Sequence, residues 1–228
     1  MTDALPLKAP APGGELAARP RKRDAERTRK SILAAALKEF SQAGFAGARI
    51  ERIVKAAKCN IRMLYHYFGD KKGLYLAVLE AAYVDLRARE AELKIDFDKP
   101  LEGFLELQRF TFDYFEKHPR FEGLLRNENL MHGKFAAQSR VVTETAFPLR
   151  RTIEGLIESG QKQGVFGPDL DPVQIYVTIA AMSRFHLANG YSLSATLDTD
   201  MTTAEWRQAR LTHALALLEG YLTAGARG

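Results

Sequence analysis

The chain has 228 residues, 46% of them hydrophobic and 27% charged, with a formal net charge of +5. That mix supplies the core of a soluble globular protein, and no run approaches the roughly 18 apolar residues of a membrane span. A single cysteine, Cys59, excludes an internal disulfide framework, and the Pro-, Ala-, Gly- and Arg-rich start lacks a signal-peptide apolar stretch, so a cytoplasmic location without a membrane partner is expected. The charge is unevenly spread: the first 75 residues hold sixteen Lys or Arg against seven Asp or Glu, while the rest carry a surplus of acid. Such a split fits a polyanion partner at one end; a solvated basic surface gives the same numbers.

Residues 1–22 read as a disordered basic tail, with Pro6, Pro10, Pro12, Gly13 and Gly14 close together and RPRKR at Arg19–Arg23. From Asp24 the pattern turns helical. Ile32, Leu33, Ala36, Leu37 and Phe40 recur at three and four, and Gly44 is the expected stop. A second helix is predicted over Ala48–Ala57 and a third over Ile61–Tyr67, capped by Asn60 and ended by Gly69. Asp70 caps a fourth that runs from Lys71 to about Lys94.

Asp98 and Pro100 open a helix to Lys117, and Pro119 opens a short one. A long helix is predicted from Ala137 to Gln163, kinked at Pro148. Asp171 and Pro172 begin the next, to about Ala188, and Thr202 with Glu205 has the form of a capping box for the last, to Leu222. No strand-like alternation and no fixed-period repeat occurs. The expectation is an all-α protein of about nine helices.

Helices two and three are each about two turns long and joined by four residues, too short for a bundle of their own. Packed on helix one they form a helix-turn-helix, whose second helix lies in the DNA major groove. Leu64 and Phe68, four apart, are its natural inner face, so Ile61, Arg62, Met63, Tyr65, His66 and Tyr67 occupy the other faces. The Arg62 fork matches guanine O6 and N7, and Ile61 and Met63 suit thymine methyls. Tyr65, His66 and Tyr67 can reach phosphates or sugars, or the two tyrosines can be ordinary packing residues with wet hydroxyls. Lys71, Arg49 and Arg52 stand at helix starts where a phosphate would bind.

ILAAALKEFSQAGFAGARIERIVKAAKCNIRMLYHYFGDKKGLYLAVL, within Lys30–Glu80, resembles the DNA-binding domain of the TetR family of bacterial transcriptional regulators. The resemblance rests on Ala-Gly-Phe after helix one, Ile53-Val54, the LYHYF block, Lys71 and the Leu74–Val78 face. Residues 119–170 faintly resemble the family's regulators of pyrimidine and aromatic-acid catabolism. The family usually has Gly-Val-Ser where this chain has Lys58-Cys59-Asn60, so Lys58 is expected in a left-handed conformation that costs about 1 kcal/mol. Cys59 then reads as a small buried apolar residue. Arg49 replaces the threonine that often opens helix two, and a guanidinium contact would replace the hydroxyl's.

The resemblance implies three parts: the tail (1–22), a helix-turn-helix domain (23–72), and a ligand-binding and dimerisation domain (73–228). It also implies a homodimer built from the last two helices, a palindromic double-stranded DNA operator, and release by a small-molecule effector, with repression the default sign. Phe104, Gln108 and Phe112 on an all-round apolar helix, together with Arg126, Asn129, His132, Arg150 and Arg184, are the candidate ligand contacts. Arginines there would favour an anionic or aromatic effector. Each also has a purely structural use, as a satisfied buried group or an interface ion pair. The five histidines form no metal-binding pair, and no P-loop, GxSxG or GxGxxG occurs, so neither cofactor nor catalysis is expected. A helical interaction or ligand-carrying protein without sequence-specific DNA binding is the remaining alternative; it would not require the basic front.

Overall fold

The computed structural model describes residues 18–226, with side chains from Asp24 onward. The described chain is all-α: nine helices of eight residues or more and one five-residue turn of helix, with no strand among the described residues. The expected tail falls largely outside these residues. However, α1 (Ala18–Gly47) begins six residues before the expected Asp24, because Ala, Arg and Lys sustain a helix and Pro20 is tolerated in the first turn.

Two cores divide the fold. The first gathers Ile32, Phe40, Ile53, Leu64, Leu74 and Leu124 from α1, α2 (Ile50–Ala57), α3 (Ile61–Phe68), α4 (Lys71–Glu90) and α6 (Pro119–Leu130). The second gathers Phe104, Ile153, Leu156, Ile175, Ile179 and Leu218 from α5 (Pro100–Lys117), α8 (Phe147–Lys162), α9 (Pro172–Leu197) and α10 (Ala204–Thr223). Helix α5 buries a wide face, at Leu107, Gln108, Thr111, Phe112, Tyr114 and Phe115, but it is not apolar all round: Glu102, Arg109 and Lys117, with Glu106 and Asp113 between them, form an exposed charged stripe.

Four boundaries depart from the sequence pattern. The long helix expected over 137–163 is three pieces: a 3₁₀ turn at Ala136–Gln138, α7 (Arg140–Glu144) and α8. Val141, Val142, Thr143 and Thr145 hold the helix weakly, Ser139 caps α7 by accepting from the Val142 N–H (3.1 Å), and Pro148 opens α8 instead of kinking a continuous helix. Helix α4 stops at Glu90, so that Leu93 and Ile95 can leave it and pack on the second core. Helix α9 continues nine residues past Ala188 and ends at the left-handed Asp198. The cap of α10 is Thr203, whose Oγ1 accepts from the Trp206 N–H (3.2 Å), because Thr202 is held by Asp200 (2.6 Å).

Candidate nucleic-acid interface

Helix α2 buries Ile50, Ile53 and Ala57, and Ser31 on α1 donates to the Ala57 carbonyl (3.1 Å), fastening its far end. Lys58 then turns the chain in the left-handed region (φ 53, ψ 43). Cys59 is half-buried, and burial pushes its thiol pKa up. Asn60 Oδ1 accepts from the Met63 N–H (2.8 Å) and starts α3. Asp70 Oδ1 does the same for Gly73 (2.7 Å) at the start of α4. A Cβ at Gly73 would lie 2.1 Å from the Phe68 carbonyl oxygen, so glycine is required for this tight joint.

Leu64 and Phe68 are buried, which fixes the rotation of α3. Ile61, Arg62, Tyr65 and His66 are exposed, while Met63 and Tyr67 are half-buried, Tyr67 against the first core. Arg49, Lys55, Lys58 and Lys72 are exposed nearby. Glu39 organises the start of α2: one carboxylate oxygen accepts from the Arg49 N–H (3.1 Å) and lies 3.6 Å from the Arg52 guanidinium. Lys71 has a structural partner, its ammonium 5.1 Å from the Phe45 ring centre and 3.4 Å from the Ala46 carbonyl oxygen. It ties the α1–α2 turn to the first turn of α4, a use that spacing alone did not reveal.

The candidate ligand residues separate into two sets. Phe104, Gln108 and Phe112 are buried, and Arg184 is largely so, on α5 and α9. Gln108 donates to Ser183 Oγ (2.9 Å), Phe112 stacks on His186 (5.0 Å, 18°), and Arg184 lies over Phe115 (5.2 Å) and 3.7 Å from Glu122. Arg126, Asn129, His132 and Arg150 are exposed and do not join that layer. Asn129 bonds to its own helix at Leu125, and Arg150 pairs with Glu154 (2.8 Å). His132 lies in a left-handed turn (φ 57).

Glu122, Ser183 and Trp206, whose ring lies 5.7 Å from that of His186, were not anticipated. A carboxylate inside the apolar run Phe121–Leu125 was the available signal. Gln108 Oε1, Arg184 Nε and both His186 nitrogens lack a hydrogen-bond partner among the described residues. Burial, with Arg210 and Arg207 adding repulsion, pushes the His186 pKa down to about 4, so the ring is neutral.

The α6 region grips the DNA-binding end. Asn127 Nδ2 donates to the carbonyls of Phe40 (3.3 Å) and Ser41 (3.1 Å). Beyond α6, Phe135 packs on Phe45 (4.9 Å) and Tyr75 (4.6 Å), and Glu128 holds that loop by accepting from the Phe135 and Ala136 N–H groups (2.7 and 2.9 Å). Among the described residues no helix is long and apolar enough to cross a membrane, and no cluster of three or more His, Cys, Asp or Glu could hold a metal ion.

Residues 32–78 match the family model for bacterial regulatory proteins of the tetR family, and residues 100–218 match the tetracyclin repressor-like C-terminal domain. The chain is 38% identical over 190 residues to the HTH-type transcriptional repressor NicS of Pseudomonas putida, covering 82% of this chain and 90% of that protein. It is 31% identical over 163 residues to the HTH-type transcriptional repressor SCO4008 of Streptomyces coelicolor, covering 72% and 80%. The crystal structure of a transcriptional regulator from the same organism, SCO4942, superposes with a TM-score of 0.62 at 25% identity, over 86% of this chain and 98% of that one. A reading helix pinned by two buried residues, an adjoining helical domain and a match across both segments lead to one conclusion: the chain belongs to the TetR family of bacterial transcriptional regulators.

Proposed function

We propose that the protein is a ligand-responsive repressor that binds a palindromic operator as a homodimer and leaves it when a small molecule binds the larger domain. The observation that carries this is the outer face of α3, where Ile61, Arg62, Tyr65 and His66 stand exposed beside basic residues while Leu64 and Phe68 anchor the helix. Arg62 reads guanine, Ile61 contacts a methyl group, and Arg49 and Arg52 position the backbone. Half-buried Met63 and Tyr67 serve at the edge, and Lys71 acts by holding the α1–α2 turn in place for a phosphate.

Dimerisation is supported by large apolar residues left exposed on the last two helices. Val173, Val177 and Phe185 recur along one face of α9, and Leu217 and Tyr221 lie on α10. Two copies would present two α3 helices to half-sites about one helical turn, 34–36 Å, apart. The effector site is the layer of Gln108, Phe112, Glu122, Ser183, Arg184 and His186. Buried polar groups without protein partners favour a molecule that supplies them, and the arginine and aromatic rings favour an anionic or aromatic one. Its binding moves α6, and Asn127 and Phe135 carry the shift to α1 and α4, changing the spacing of the two α3 helices.

Selection of bound fragments from genomic DNA tests the reading. One two-fold-symmetric sequence should be enriched, with affinity that falls steeply as salt rises. Recovery of unrelated fragments with no shared sequence would leave the helical ligand-carrying alternative in its place.

A further inference from the structure

A second groove, of about 480 Å³, lies outside the effector layer, at the junction of the two parts of the fold. Helix α1 forms one wall with Leu33 and Leu37, α4 forms another with Val78 and Ala81, and the α5–α6 corner closes it with Phe121. The volume is that of a small-molecule cleft, and these walls are apolar.

The polar groups at its edge are organised. Asp85 Oδ2 accepts from the Tyr114 hydroxyl (2.9 Å) and from Arg89 Nε (2.9 Å), so its charge is already matched. Burial works against the Asp85 carboxylate, but these hydrogen bonds and the neighbouring cations outweigh it and hold its pKa below the ordinary value. Lys117 is paired with Asp113 (2.8 Å). His118 stacks on the Tyr114 ring (4.0 Å, 18°), and its Nδ1 lies 2.7 Å from the Tyr114 carbonyl oxygen. A carbonyl oxygen only accepts, so this contact puts a proton on Nδ1 and fixes the ring against Tyr114. Arg120 is exposed and has no carboxylate within ion-pair distance among the described residues. The groove therefore combines an apolar floor, an oriented imidazole and one uncompensated guanidinium.

We propose that this groove binds an amphipathic organic monoanion, its carboxylate on Arg120 and its alkyl or aryl body against Leu33, Leu37 and Val78. The fit is one of charge: Asp85 and Lys117 are neutralised within the protein, which leaves the single positive charge of Arg120 to be met, and a guanidinium can meet a carboxylate with two parallel hydrogen bonds. The site differs from the effector layer in touching α1 directly. A molecule wedged between α1 and the first turn of α6 favours one angle between them, so it acts on α1 directly and adjusts the position of α3 without the Asn127 and Phe135 contacts.

Calorimetric titration of the full chain with 4-phenylbutyrate, and with the uncharged 4-phenylbutanol, tests the site in the absence of DNA. One saturable site per chain is expected for the acid. Affinity should fall about tenfold or more with the alcohol or in Arg120→Ala, the loss of one charge-assisted contact. Ala81→Trp, at an exposed position on the groove wall, should abolish binding; an unchanged circular dichroism spectrum and melting temperature show that the variant is folded. No saturation by about 10 mM overturns the proposal. So does binding that survives both Arg120→Ala and Ala81→Trp; if that binding is lost in Gln108→Ala, the acid occupies the effector layer and the proposed function stands without the groove.

Discussion

Lys58 is a non-glycine residue held at φ 53, ψ 43, at the one turn that sets the angle between α2 and α3. A side chain in the left-handed region costs about 1–2 kcal/mol relative to the right-handed one, and glycine removes that cost. Glycine also adds freedom to the unfolded chain, worth about 0.5–1 kcal/mol against it. Lys58→Gly should therefore stabilise by a net of about 0.5–1 kcal/mol. The side chain is exposed and makes no ion pair among the described residues, so no contact is lost to offset the gain. In a domain of this size that gain raises the melting temperature by about 1–4 °C, measured at fixed protein concentration because a dimer's melting point depends on it. Lys58→Ala is the control: it removes the same charge and keeps the left-handed strain. The glycine variant should exceed the alanine variant in urea midpoint. Equal midpoints would refute the backbone argument and attribute any gain to relief of charge repulsion around the basic turn.

Arg62→Ala should lower operator affinity relative to random DNA by about 1–3 kcal/mol, read by fluorescence anisotropy; unchanged discrimination would remove Arg62 from the base contacts. His186 is neutral when folded, with a pKa of about 4 against 6.5 unfolded, so the unfolded chain takes up its proton first as pH falls. Its contribution is complete above pH 6.5 and declines towards pH 4, by about 2 kcal/mol at pH 5 and about 3 at pH 4. His186→Phe should flatten that part of the urea-midpoint profile, and an unaltered slope assigns the acid sensitivity elsewhere. Val177→Glu with Tyr221→Glu places charge on the exposed apolar faces of α9 and α10 and should shift sedimentation from dimer to monomer and weaken operator binding; a persistent dimer would move the interface off these helices. Phe135→Ala removes a buried ring from the Phe45 and Tyr75 cluster, costing about 3–5 kcal/mol, and should reduce the effect of effector on DNA affinity more than DNA affinity itself.

What could be read in advance follows from the range of the interactions involved. The start of α3 is a local matter. Asn60, Leu64 and Phe68 fix it by a cap three residues away and a pair four apart, so the outward set around Arg62 follows from spacing. Lys58 likewise shows its strain because a turn of this kind usually has glycine. Lys71 is already less legible: its partners, Phe45 and the Ala46 carbonyl, belong to α1, and nothing in the neighbouring residues announces them. The ligand layer is the extreme case. Gln108 finds Ser183 at a separation of 75 residues, and Glu122 becomes buried only because Arg184 arrives from α9.

The same distinction separates the candidate ligand residues. Arg126 and Arg150 have apolar neighbours in sequence, yet each lies on the solvent side of its helix, and Arg150 is satisfied within its own helix by Glu154 at i+4. Gln108 has the same kind of neighbours but sits on the buried side of α5, away from the exposed Glu102 and Arg109, where each hydrogen-bonding atom must be matched from another element. A polar residue is therefore informative about a ligand only when it lies on the buried side of its helix, and on α5 that side is set by Phe104, Leu107, Phe112, Tyr114 and Phe115, away from the exposed Glu102, Arg109 and Lys117. On that criterion Gln108 and Phe112 stay in the candidate effector site, the surface arginines fall outside it, and His186, a polar candidate on its apolar helix from the sequence, belongs with them because its ring is packed against Phe112 with neither nitrogen matched among the described residues.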